Sequence, residues 1–493
     1  MEKTTGLHLY INVSNIGEII KGEENKNDEL KRSIHRLHTY FEGVTKVVNH
    51  FDADVEKFTY GRAHIYIEQL EDESDADFNQ RILDLIVALF KFGYDVFNEI
   101  NKYSSYTKFK FQAGADYDEF YKHDIDGMDE FTTIGTVANV AAKLTSFAGN
   151  KAIYITDNAG KKLPKDEKGH FTLLDEDELK EVQEKLKGNP LIYSATYTDL
   201  TVSEKVTKLM ESLKDECDKT ANSLNLVDMT FEDAKSKINF SRLSRKKNKQ
   251  ITAGILYGDL RGFTKLFNVS GNNLDNLALV LKEVYKEFDA AVTEKDGVRV
   301  QFQGDRIVAI FNSFTDELEL DIVRMFEASL VLKDKINALS DTYSEQLGNK
   351  KLKIGIGLCY GEYYATRLGL RSYTDNIVLG STAAKGDTAE DKYAEDQDIA
   401  VTKEFKNKID ELKDESTKSQ VIANCLDAIS TTGFYKTSIS QSDFDTKVTE
   451  QEKLNKRAAY ASVNILTASH VKAVDGIERT VRPHGNPIRK YRR

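Results

Sequence analysis

The chain has 493 residues, of which 40% are hydrophobic and 30% charged, and its formal net charge is −11. That length accommodates roughly two to four ordinary domains, and the balance is that of a globular protein rather than a disordered one. The acidic character excludes a chain whose whole surface binds nucleic acid, and no apolar run reaches the ~18 residues of a membrane span.

In chain order, MEKTTGLHLYINV opens as a strand rather than as the apolar core of a signal peptide. The expected compartment is therefore the cytoplasm. Cys217, Cys359 and Cys425 are far apart and form no CxxC pair, so neither a disulfide framework nor a zinc site is expected. Short apolar strands alternate with helical patterns over residues 1–200, the first predicted domain. A charged helical connector, 201–250, includes SEKVTKLMESLKDECDKTANSLNL and the basic SRLSRKKNKQ. A second alternating region is predicted over 251–440, and an extension, 441–493, ends in the basic tail RTVRPHGNPIRKYRR.

The two alternating regions read as distant copies. LYINVSNIGEII lies over LYGDLRGFTKLF at an offset of 247 residues (259 − 12), and FTYGRAHIYI over FQGDRIVAIF at 244 (305 − 61). KFQAGADYDEFY lies over KIGIGLCYGEYY at 243 (353 − 110), and TIGTVANVAAKL over VLGSTAAKGDTA at 245 (380 − 135). Four segments in one order at a nearly constant offset point to an internal duplication.

Two acidic motifs carry the chemistry. In YGDLRGFTKLF an apolar strand ends at Asp259, and Gly262-Phe263-Thr264 turns into a helix, whose first N–H groups suit an anion. In VRVQFQGDRIVAIF, 46 residues on (305 − 259), Gly-Asp interrupts two apolar strands and presents Asp305 at a hairpin tip. Neighbouring strands would bring the two carboxylates together. Such a pair attracts divalent cations, which suit displacement at phosphorus.

YGDLRGFTKLF and QGDRIVAIF resemble the two metal-binding motifs of the class III nucleotide cyclases. The resemblance implies an α/β (α+β) architecture of two ferredoxin-like βαββαβ domains paired head to tail within one chain. It implies two Mg²⁺ or Mn²⁺ ions on Asp259, Asp305 and the main-chain carbonyl of Leu260, with the N–H groups of Gly262, Phe263 and Thr264 cradling a triphosphate. The halves have kept complementary parts. Asn12 and Gly61 stand where Asp259 and Asp305 stand, while TVANVAAKL in the first half is similar to the family's Asn…Arg helix. That places Asn139 on the ribose and Lys143, in the place of the usual Arg, at the transition state. The second half has Ala384 and Thr388 there. One complete site is expected between the halves.

Base recognition falls to Lys57 and Thr132 by the same resemblance, and a shift of one residue would substitute Glu56 or Phe58 for Lys57. A lysine beside a hydroxyl suits adenine N1 and N6 or a pyrimidine O2 or N3. With no recognisable sensor domain, the chain resembles the Pycsar antiphage cyclases, which make cyclic CMP or cyclic UMP for a separate effector protein. The expected substrate is an NTP, CTP or UTP ahead of ATP. The alternatives are a cyclic AMP-forming adenylate cyclase and a non-catalytic nucleotide-binding protein.

Overall fold

The computed structural model describes residues 2–23, 27–125, 130–186, 188–223, 225, 228–266, 274–312, 318–370 and 373–458. The basic tail lies outside the described residues. The first half contributes β1 (Glu2–Val13), β2 (Asp54–Thr59), β3 (Arg62–Glu68), β4 (Phe111–Ile125), β5 (Glu130–Ile134), β6 (Ala152–Thr156), β7 (Thr172–Leu173) and β8 (Ile192–Thr196). Their order across the sheet is β2-β3-β1-β4-β6-β8-β7, with β5 on β4. The first four strands, with helices Asn27–His50 and Asp75–Lys91 between them, form an antiparallel βαββαβ unit. Leu7, Leu9, Ile11 and Val13 alternate along β1 into a core closed by both helices.

The second half repeats the plan. It comprises β9 (Thr230–Asp233), β10 (Lys247–Leu260), β11 (Val298–Gln303), β12 (Arg306–Phe311), β13 (Ile354–Leu370), β14 (Tyr373–Leu379), β15 (Ile399–Thr402), β16 (Asp427–Ile429) and β17 (Phe434–Thr437). The order is β11-β12-β10-β13-β15-β17-β16, with β14 on β13 and β9 parallel to β10. Helices Leu274–Glu294 and Leu318–Thr342 cover its core. The basic connector is partly structural, because Lys247–Gln250 already belong to β10. Helix Glu204–Ser223 buries Val206, Leu209, Met210 and Leu213 against the first core.

The halves interlock through their long hairpins. Tyr364, Leu368, Ile377 and Leu379 of β13–β14 are buried in the core of the first half, and Tyr121, Ile125 and Ile134 of β4–β5 in that of the second. The exchange joins the two ferredoxin-like units head to tail. Among the described residues no helix is long and apolar enough to cross a membrane.

Candidate active site

Between the halves lies a cleft of about 490 Å³. From the second half, Asp259, Leu260, Arg261, Gly262, Gly304 and Asp305 line it; from the first come Lys57, Thr133, Asn139 and Lys143. The two acidic motifs meet because β10 pairs with β12, setting Asp259 opposite Arg306, next to Asp305 at the β11–β12 turn. Gly304 takes φ +65° in that turn, a backbone region in which glycine carries no steric penalty. The amide of Leu260 donates to the carbonyl of Asp305 at 3.4 Å, joining the motifs. Gly262 adopts φ +73° and starts the short helix Phe263–Leu266, anchored by the buried Phe263 ring.

Electrostatically the acid pair is charge-frustrated. Burial, then the neighbouring Asp305, pushes the Asp259 carboxyl up to about 8. Burial raises Asp305 to about 6 against the opposing pull of its own backbone N–H and of Lys143. Two half-buried carboxylates that each resist ionisation form a donor set that fits hard divalent cations bound through oxygen. In this state cationic side chains partly offset the charge. Arg261 Nη1 lies 3.4 Å from Asp259 Oδ2, and Arg306 Nη2 lies 2.8 Å from Glu390 Oε2 and 2.5 Å from Asp387. The Nε atoms of Arg261 and Arg306 are buried without a hydrogen-bond partner.

Asn139 and Lys143 project from helix Thr136–Phe147, one turn apart, so both face the acids across the cleft. A Cβ on Gly304 would lie 3.8 Å from Asn139 Oδ1, and Lys143 draws the Asp305 carboxyl down. The structure thus brings the first-half helix to the second-half acids.

A smaller cleft of about 300 Å³ occupies the pseudo-symmetric position. Asn12, Gly61 and Ala384 line it, so the acids are missing on one side and the Asn on the other. A Cβ on Gly61 would sit 2.7 Å from Ile16 Cγ2, which leaves no room for an aspartate without local movement.

Residues 245–430 match the sequence profile of the adenylate and guanylate cyclase catalytic domain family. Over this stretch the chain is similar to the class III cyclase catalytic domains. The chain is 22% identical over 402 residues to a protein named uridylate cyclase from Pseudomonas aeruginosa, covering 78% of this chain and 74% of the relative. It is 24% identical over 174 residues to a uridylate cyclase from Gulbenkiania mobilis, covering 33% of this chain and 67% of that one. A solved structure of a class III adenylyl cyclase-like ATP-binding protein from P. aeruginosa superposes with TM-score 0.66 at 19% identity, covering 90% of each chain. The paired fold is therefore shared across both halves.

The two halves place the base-side residues less simply than the sequence implied. Lys57 lines the cleft, and its Nζ donates to the Phe302 carbonyl of the other half at 2.6 Å. Thr132 is fully buried, its hydroxyl turned to Glu56 at 3.2 Å, and the residue at the cleft wall is Thr133. Successive strand residues face opposite sides, so a shift of one residue decides which threonine lines the cleft. Phe58 belongs to the first core, stacked on Phe41. The sequence reading also passed over Arg261, Arg306 and Glu390. The two arginines lie inside the quoted motifs, whereas Glu390 reaches the site only through the tertiary fold.

Proposed function

We propose that the protein converts a pyrimidine nucleoside triphosphate, UTP ahead of CTP, to its 3′,5′-cyclic monophosphate and pyrophosphate. The carrying observation is that Asp259 and Asp305 of one half meet Asn139 and Lys143 of the other in a single cleft. The uridylate cyclase relatives favour uracil over the other bases.

Asp259, Asp305 and the Leu260 carbonyl would hold the divalent cations, Mg²⁺ or Mn²⁺, two in number by family resemblance. Bound there, the cations would supply activation of the ribose 3′-hydroxyl and charge neutralisation on the triphosphate. The chain's own groups do the rest. Asn139 orients the ribose so that its 3′-oxygen lies in line with the α-phosphorus. As the new O–P bond forms, the bond to the bridging oxygen breaks, pyrophosphate departs and the hydroxyl proton passes to solvent water. Lys143 faces the charge developing at the α-phosphate, and the N–H groups of Gly262, Phe263 and Thr264 cradle the departing oxygens. Lys57 and Thr133, at the cleft wall, hold the base. The product is read as a signal for a separate effector protein, as in antiphage defence by the Pycsar cyclases, and the enzyme as cytoplasmic.

The test is incubation of the full chain with each NTP and Mg²⁺ or Mn²⁺, with products identified by mass. Cyclic UMP as the main product supports the reading. Cyclic AMP as the main product would sink the pyrimidine assignment, and no cyclic product from any NTP would sink the enzyme itself.

A further inference from the structure

Strand β2 contains a bulge. Val55 pairs with Ile65 and Lys57 with His64, so Glu56 is the extra residue between them. The second half bulges at the matching place, with Val300 extra between Arg299 and Gln301, at an offset of 244 (300 − 56). A bulge re-aims a side chain that regular pleating would send elsewhere. Here it sets a carboxylate into the cleft wall of the first half, beside Lys57 and Thr133, where the second half has only an apolar valine.

That carboxylate is elaborately held. Its side chain is 4% exposed, and Oε2 lies 2.9 Å from His64 Nδ1. His64 Nε2 is in turn 2.8 Å from Nδ1 of the buried His8. The hydroxyls of Thr132 and Thr133 both donate to it. Burial alone would protonate the group, yet His64, His8 and Lys57 outweigh it and hold the carboxyl near 2. Glu56 is therefore an ionised, acceptor-only group at neutral pH. Of its roughly four acceptor positions, three are taken by His64 and the two threonines.

We infer that Glu56 is the specificity-determining residue of the base pocket, accepting the N3–H of uracil while the adjacent Lys57 ammonium donates to a neighbouring carbonyl of the ring. His64 and His8 are positioning residues that keep the carboxylate aimed at the cleft. Uracil presents a donor at N3 with an acceptor on either side, the complement of a carboxylate beside an ammonium. Cytosine presents a lone pair at N3, which faces the carboxylate unfavourably and leaves its acceptor unpaired. The inference rests on the pyrimidine cyclase reading above.

The experiment measures kcat and KM of the full-length protein with UTP, CTP and N3-methyl-UTP, for wild type and Glu56→Gln. Wild type should use N3-methyl-UTP at least ~100-fold less efficiently than UTP, as a site built to hydrogen-bond a polar edge rejects an analogue that blocks it. Glu56→Gln, whose amide can donate to cytosine N3, should lower the UTP-to-CTP ratio of kcat/KM at least about tenfold, mainly through KM. An unchanged ratio in a folded Glu56→Gln protein overturns the inference, and so does wild-type turnover of N3-methyl-UTP equal to that of UTP. The second measurement needs no variant and decides the matter if Glu56→Gln does not fold. A wild type that cyclises no NTP overturns the parent reading instead, which keeps the two failures apart.

Discussion

Asp259 and Asp305 hold their protons to higher pH in the fold than in the unfolded chain, because burial disfavours both charges and a neighbouring acid adds to it, Asp305 at Asp259 and Glu390 at Asp305. Between the ordinary carboxylate value near ~4 and these raised values, the folded state binds more protons than the unfolded one. Metal-free protein therefore loses stability as pH rises through that window, up to about 8. In EDTA, the Tm of wild type should fall between pH 5 and pH 8 by more than that of Asp259→Asn, and an identical slope would count against the frustrated pair. Added Mg²⁺ should stabilise wild type more at pH 8 than at pH 6, since binding must displace those protons. Under saturating Mg²⁺, Asp259→Asn or Asp305→Asn should lower kcat by at least ~100-fold, about 2.7 kcal/mol of barrier. Asn12→Ala, at the degenerate position, should stay within a few-fold of wild type. The two aspartates were legible in the sequence because strand, acid and glycine turn are neighbours along the chain. Glu56 entered the sequence analysis only as a one-residue shift from Lys57: its place in the cleft depends on a bulge and on His8 and His64, which meet it only through the sheet.

Helix Thr136–Phe147 presents Asn139 and Lys143, and its height above β4 is set by a glycine. A Cβ on Gly114 would fall 2.4 Å from the Thr145 amide and 2.5 Å from the Ala141 carbonyl, both backbone atoms that cannot turn aside. Gly114→Ala should therefore lift the helix. Overpacking of this kind costs about 1–3 kcal/mol, and a misplacement of ~1 Å at a reacting group costs up to ~100-fold in rate. The expected result is a lower Tm with kcat reduced at least about tenfold and KM for UTP changed far less; wild-type kinetics would show that the helix position does not limit the chemistry. Lys143→Arg should retain activity, since the guanidinium keeps the charge and adds a planar fork that can hold two phosphate oxygens, whereas Lys143→Ala should lose at least ~100-fold in kcat. The duplicated strands and this helix were readable as a repeat, because offsets of 243 to 247 residues recur in order. The long hairpins were not, because Leu368 and Ile377 are apolar for the sake of the other half, and nothing local shows where they are buried.

Each half completes the hydrophobic core of the other, and each supplies what the other's site lacks. Residues 1–246 and 247–493 expressed separately should be inactive, and co-expression should restore cyclic nucleotide synthesis. Full activity from 247–493 alone would replace the one-site picture with a homodimer of second halves. In the intact chain the covalent link keeps the halves at high effective concentration, so specific activity should not vary with dilution. The interlock also has a consequence for biosynthesis. When residue 200 has left the ribosome, Tyr364, Leu368, Ile377 and Leu379 have yet to be translated. At typical elongation rates the remaining stretch to Leu379 takes on the order of ten seconds or more. For that interval the nascent first half exposes an apolar face whose cover has not been made. The same face can accept the hairpin of a neighbouring chain, so crowded translation on one message favours swapped dimers whose two clefts are each assembled from two polypeptides.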